Sequence, residues 1–134
     1  LKTSIRGSRS ATGYDSIQQQ QENFPMSEFT DYLNDLFAQF GPINVRRMFG
    51  GYGIYHQGLM FALVVKDTLY LKADAESAEL FRQKQLEQFE YLKAGKKIRV
   101  GYYAAPVEAL EDATEMSHWA TMAWRSAVRG KSTR

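Results

Sequence analysis

Two hydrophobic periods organise the chain. Phe29, Tyr32, Leu33, Leu36, Phe37 and Phe40 recur at intervals of three and four, which places them on one face at 3.6 residues per turn. The spacing predicts a helix that Ser27 caps and Gly41-Pro42 ends. Beyond it the period shortens. Ile43 to Phe49 and Gly50-Gly51-Tyr52-Gly53-Ile54-Tyr55 read as two strands joined at the glycines. His56-Gln57-Gly58 turns the chain into Leu59 to Val65, the most apolar run and a central strand, and Lys66-Asp67 turns it back into Thr68 to Lys72. Asp74 caps a second helix that carries Ala78 and Phe81 and ends near Gln85.

A second antiparallel unit follows. Gln88 to Tyr91 alternates, Ala94-Gly95-Lys96-Lys97 turns, and Ile98 to Ala104 returns. Pro106 opens a short helical turn. The last helix is expected from Asp112 to Arg129, with Met116, Trp119, Ala120, Ala123, Trp124 and Ala127 on one side. The pattern predicts an α+β fold, an antiparallel sheet covered by helices in the order α-β-β-β-β-α-β-β-α.

The 134 residues suffice for one domain. Residues 1–25 are rich in Ser, Gly, Thr and Arg, end in a Gln run and hold too little apolar surface to offset the entropy of ordering. They are expected to be a disordered extension or an expression remnant, with the domain over 26–129 and a frayed tail over 130–134. Gly130-Lys131-Ser132 lacks the preceding glycine and strand of a phosphate-binding loop.

The formal net charge is +2, and its location decides what it means. Residues 1–25 carry Lys2, Arg6 and Arg9 against Asp15 and Glu22, and the last residues add Arg129, Lys131 and Arg134 without an acid. The folded part between them is therefore mildly acidic. That favours a protein-binding adaptor over an autonomous DNA reader, because nonspecific DNA affinity comes largely from neutralising phosphates.

The absence of cysteine removes disulfides, thiolate nucleophiles, Cys-ligated zinc and iron–sulfur clusters. His56 falls in a turn, expected exposed and without a partner, and His118 falls on the polar side of the last helix. Neither has an Asp or Ser at the spacing of a catalytic pair, so no catalytic residue, metal or cofactor is expected. The acids Glu108, Glu111, Asp112 and Glu115 suit a helix N-terminus. The Gly50-Gly51-Tyr52-Gly53 string runs into a strand and not a helix, so it reads as a bulge or tight turn needing positive φ rather than a phosphate cradle. It also overlaps part of the RNA-recognition-motif signature, but Gly50 stands where that signature has a basic residue.

The basic residues of the fold are Arg46 and Arg47 on the first strand and Lys93, Lys96, Lys97 and Arg99 around the second hairpin. Lysines in a hairpin turn suit a solvated edge. If Arg46, Arg47, Lys96, Lys97 and Arg99 faced one way, they would form a phosphate-contacting patch interleaved with Tyr102 and Tyr103. Met122 is the large apolar residue on the polar side of the last helix, a candidate edge of a dimer contact.

The string Arg47-Met48-Phe49-Gly50-Gly51-Tyr52-Gly53-Ile54-Tyr55 resembles the signature of the TfoX/Sxy family's N-terminal domain. Phe61-Ala62, Leu69-Tyr70-Leu71-Lys72, Phe89-x-Tyr91, Gly95-Lys96, Tyr102-Tyr103-x-x-Pro106 and Trp119 follow in the same order. The resemblance covers nearly all of residues 27–128 and implies an α+β fold and a role in regulating natural competence genes, where two-domain members act as co-activators alongside the cyclic-AMP receptor protein. The expectation here is a single-domain member. The resemblance supplies no catalytic residues. Its motif positions Arg47, Met48, Phe49, Gly50, Gly51 and Gly53, with Tyr70, Lys72, Gly95, Pro106 and Trp119, are expected to serve the fold.

The expected function is thus a non-enzymatic bacterial regulator in the cytoplasm, acting on transcription through a protein partner, with a homodimer open to it and no membrane contact. Direct nucleic-acid binding through the basic residues is the alternative, and a small-molecule site or enzyme, marked by a polar pocket, is a second.

Overall fold

The structure is a computed structural model, and it describes residues 26–48 and 50–132. The segment 1–25 and Phe49 of the glycine string lie outside the described residues. Helix α1 (Met26–Leu36) leads into β1 (Asn44–Met48), β2 (Gly51–His56), β3 (Leu59–Val65) and β4 (Thr68–Lys72). Helix α2 (Ala75–Gln83) precedes β5 (Gln88–Lys93) and β6 (Lys96–Ala104), and the short α3 (Val107–Leu110) precedes α4 (Ala113–Ser132). The six strands form one antiparallel sheet in the order β1-β2-β3-β4-β6-β5. This is the α+β arrangement and element order expected from the sequence.

Three of the strand connections are two-residue hairpins. Gln57-Gly58, Lys66-Asp67 and Ala94-Gly95 each hold φ positive at both positions, between 49° and 80°. That is the turn whose twist matches the flanking strands. Lys96 and Lys97, expected within the last turn, instead begin β6. After α2 the chain does not extend the meander; β6 inserts beside β4, pairing Leu71 with Tyr103, and leaves β5 at the edge.

All four helices serve one face of the sheet. Phe29, Leu33 and Phe37 from the α1 segment, Phe81 from α2 and Met116, Ala120, Ala123 and Ala127 from α4 close over Ile54, Phe61, Ala62, Val64, Leu69, Leu71 and Tyr103. A register shift at Ile54/Tyr55 turns Phe61 inward beside Ala62, where its ring meets Phe37 at 5.4 Å and Phe40 at 5.0 Å. The small residues of α4 let its backbone approach β3 and β4 closely.

Some boundaries differ from expectation. Helix α1 begins at Met26, so Ser27 lies within it rather than capping it, and the turn after Leu36 carries Phe37, which is fully buried. Helix α4 continues three residues past Arg129 to Ser132, so the expected frayed tail is helical from 130 to 132. Its N-terminus is capped by Asp112, whose carboxylate accepts from the Thr114 amide at 2.9 Å.

The glycine string divides by cause. Gly50, with φ of +70°, makes the turn into β2. Gly51 is needed for space and not for φ: a Cβ there would fall on the carbonyl oxygen of Val64 in the neighbouring strand. Gly53 lies under the sulfurs of Met48 and Met60, 2.7 and 2.8 Å from where its Cβ would stand. Gly51→Ala is therefore expected to lose about 3 kcal/mol of stability, since backbone cannot yield as a side chain can. Gly58→Ala, with open space around it but a positive φ, should lose only about 1 kcal/mol. Urea denaturation of the two variants would check the order.

Candidate functional site

The sheet order decides the fate of the expected basic patch. Arg46 and Arg47 lie on the edge strand β1, while Lys96, Lys97 and Arg99 lie on β6 near the opposite edge, with β2, β3 and β4 between. The two groups do not meet. Strand alternation separates each group again. Arg46 stacks on Tyr55, 4.7 Å from the ring centroid, while Arg47 lies 5.6 Å from Tyr52 on the other face. Tyr52 packs on Phe29 at 4.5 Å, which identifies Arg47's face as the helical one. Arg99 is held by Glu90 across the hairpin at 2.7 Å. Tyr102 and Tyr103 also part: Tyr103 stacks on Phe81 in the core at 5.3 Å, and Tyr102 faces away from the helices.

The helix-free face has a surface of its own. Tyr55, Met60, Leu63, Tyr70 and Tyr102 line its middle, and Phe89 and Tyr91 continue it onto β5. Phe89 lies 4.9 Å from Tyr70 and 6.3 Å from Tyr91. Lys72 sits 5.1 Å from the Tyr102 centroid. The packing is close enough that Tyr102 is only 8% exposed, and burial, with the neighbouring Tyr55, pushes its phenol up to about 12. Burial also raises Tyr70, helped by Glu87 and opposed by a hydrogen bond with Thr68. Glu90, on the other face, is the one acid in the six strands, against seven Lys and Arg. The acids sit in the helices and turns, so a domain of balanced charge contains a basic sheet.

On the helical side, Leu80, Gln83, Lys84, His118, Trp119 and Met122 line an open, largely apolar groove of about 300 Å³ between α2 and α4. Lys84 pairs with Glu108 at 2.6 Å, which lowers the Glu108 carboxyl. The indole of Trp119 donates to Glu115 at 3.1 Å. His118 is exposed on the rim, as expected. His56 is not the solitary turn residue the sequence suggested. Its Nδ1 lies 2.7 Å from the Pro42 carbonyl and so must donate. Its ring packs on Phe40 at 4.6 Å and Trp124 at 5.4 Å, and its carbonyl accepts from the Trp124 indole at 3.1 Å. These distant partners make it a structural clamp. Among the described residues no cluster of His, Asp and Glu could hold a metal ion, and no helix is long and apolar enough to cross a membrane.

A buried polar knot joins α2 to α4. Asp74 caps α2 through the Glu76 and Ser77 amides, both at 3.1 Å, and Ser77 completes the capping box. The same carboxylate receives Arg129 in bidentate fashion at 2.6 and 3.1 Å. Ser77 and the fully buried Ser126 exchange a hydrogen bond at 2.9 Å. Arg129 thus leaves the set of loose terminal charges to which its sequence position assigned it.

The chain belongs to the TfoX N-terminal domain family, whose model matches residues 35–127. It is 27% identical over 92 residues to DNA transformation protein TfoX1 of Aliivibrio fischeri, covering 69% of this chain and 44% of that protein. It is 26% identical over 100 residues to Protein Sxy of Escherichia coli, covering 75% and 48%. The chain spans about half the length of these curated relatives. Three of the motif positions that the resemblance marked have a visible place in the packing. Pro106 is fully buried at the start of α3, Gly95 completes a hairpin turn at φ +80°, and Trp119 packs on Phe81 at 5.1 Å.

Arg129, then the Ser77 contacts, hold the Asp74 carboxyl well below the usual carboxylate range. A carboxylate whose folded pKa is depressed contributes stability above its unfolded pKa of about 3.9 and loses it as pH falls further. Acid unfolding followed by circular dichroism should therefore steepen below about pH 4. Asp74→Asn, which keeps a capping oxygen but loses the charge opposite Arg129, should cost about 1 kcal/mol at neutral pH and flatten that acid limb.

Proposed function

We propose that this domain is a non-enzymatic regulatory module in DNA transformation, acting on transcription in the cytoplasm through contact with a protein partner. The link to transformation rests on family membership and on the name of the A. fischeri relative. The mode of action rests on the α2–α4 groove. Its walls are apolar and open to solvent, with Leu80 46% exposed, and such a concavity seats an apolar side chain of a partner. Met122, singled out in the sequence as an apolar residue on a polar side, lines this groove. Of the two titratable side chains that line it, Lys84 is paired with Glu108 and His118 lies exposed on the rim, an arrangement that suits recognition better than turnover.

Affinity capture with the immobilised chain, from extract of a naturally transformable bacterium and with nuclease added, would test this. A discrete protein should be retained after nuclease treatment and be lost, by about tenfold or more, with Leu80→Asp or Met122→Gln. Retention unchanged by both substitutions would remove the groove from the account. Release of the partner by nuclease would replace protein contact with nucleic-acid bridging.

A further inference from the structure

The uncovered sheet face carries a different chemistry from the groove and lies on the opposite side of the fold. Strand alternation brings Arg46, Lys72, Lys93 and Lys96 onto it, and Glu87, just before β5, stands near Tyr70 as the acid at its margin. Arg46 and Lys72 each lie against a tyrosine ring of the same face. Tyr91 is 42% exposed at its outer end, beside Phe89. Tyr102 is buried beneath Lys72 at the middle of the face.

We propose that this face is a platform for single-stranded nucleic acid, with bases stacking on the rings of Tyr55, Phe89 and Tyr91 and phosphates meeting Arg46 and Lys72. Ring faces flanked by cations are the combination that holds unpaired bases and their backbone together. A duplex hides its base faces and could use only the cations. A second copy of the chain would set four cations against four, with Glu87 at the margin of each face to offset them. An acidic peptide would satisfy the cations but leave the rings without a stacking partner.

Fluorescence anisotropy of the full chain with labelled oligonucleotides of one mixed sequence tests this, comparing single-stranded DNA, single-stranded RNA and duplex DNA. At least one single strand should bind in the micromolar range, about tenfold or more tighter than the duplex. Two to three neutralised phosphates give a salt slope of about −1.4 to −2. Tyr91→Ala should weaken binding about fivefold, in line with loss of one stacked base, and Arg46→Glu with Lys72→Glu about tenfold or more. Near-ultraviolet dichroism of Trp119 and Trp124, on the helical side, reports whether each variant is folded. Leu80→Asp in the groove should leave the affinity unchanged, so this proposal and the protein-contact reading stand or fall separately. Four outcomes overturn it: a duplex bound as tightly as either single strand, affinity unmoved in the folded face variants, displacement of both strands by polyglutamate with direct binding of that polymer, or no binding of either single strand at about 100 μM protein.

Discussion

Helix α4 presses on β3 and β4 through Met116, Ala120, Ala123 and Ala127, all essentially buried, and the rest of the molecule is arranged around that contact. Small side chains bring the helix axis close to the sheet, leaving room at its flanks for large ones. Phe37 and Phe61 fill one flank and Phe81 with Trp119 the other. Dispersion is gained by many close contacts rather than by a few strong ones. The polar knot of Asp74, Ser77, Ser126 and Arg129 then sets the angle of α2 on α4. Each of its groups is satisfied, which is the condition under which burying them does not destabilise the fold.

Covering one face of an antiparallel sheet leaves the other to be managed, and this chain manages it with rings and thioethers rather than with small polar groups. Met48 and Met60 fold over Gly53, Tyr70 packs on Phe89, and Tyr55 and Tyr102 lie under long cations. Lys and Arg side chains can lay their stems on apolar surface while their charged ends remain in water. A basic sheet beneath acidic helices follows from this division. The domain's near-neutral total conceals it, because net charge averages over surfaces that never face the same ligand.

Much of the architecture was legible in the residues. The helical period of Phe29 to Phe40, the alternation of the strands and the Asp74 cap identify elements through local geometry alone, and the elements occur in the expected order. The glycine string was legible as structural, but its reason was not. Only Gly50 acts through φ; Gly51 and Gly53 act through what crosses above them, and that depends on strand pairing. The candidate contact residues were legible as chemistry and not as a site. Arg46 and Lys96 are far apart because β2, β3 and β4 lie between β1 and β6, an order that no hairpin signal records.

What the sequence determined by itself was the set of elements, the fold class and the family to which the chain belongs, since periodicity, caps and motif order are local or collinear properties. Tertiary structure decided which residues are neighbours. His56 found Pro42, Phe40 and Trp124; Arg129 found Asp74; and the near-neutral total resolved into a basic sheet and acids gathered in the helices and turns. Those outcomes depend on packing between segments tens of residues apart, where energy is set by shape and proximity and spacing along the chain carries no record of them.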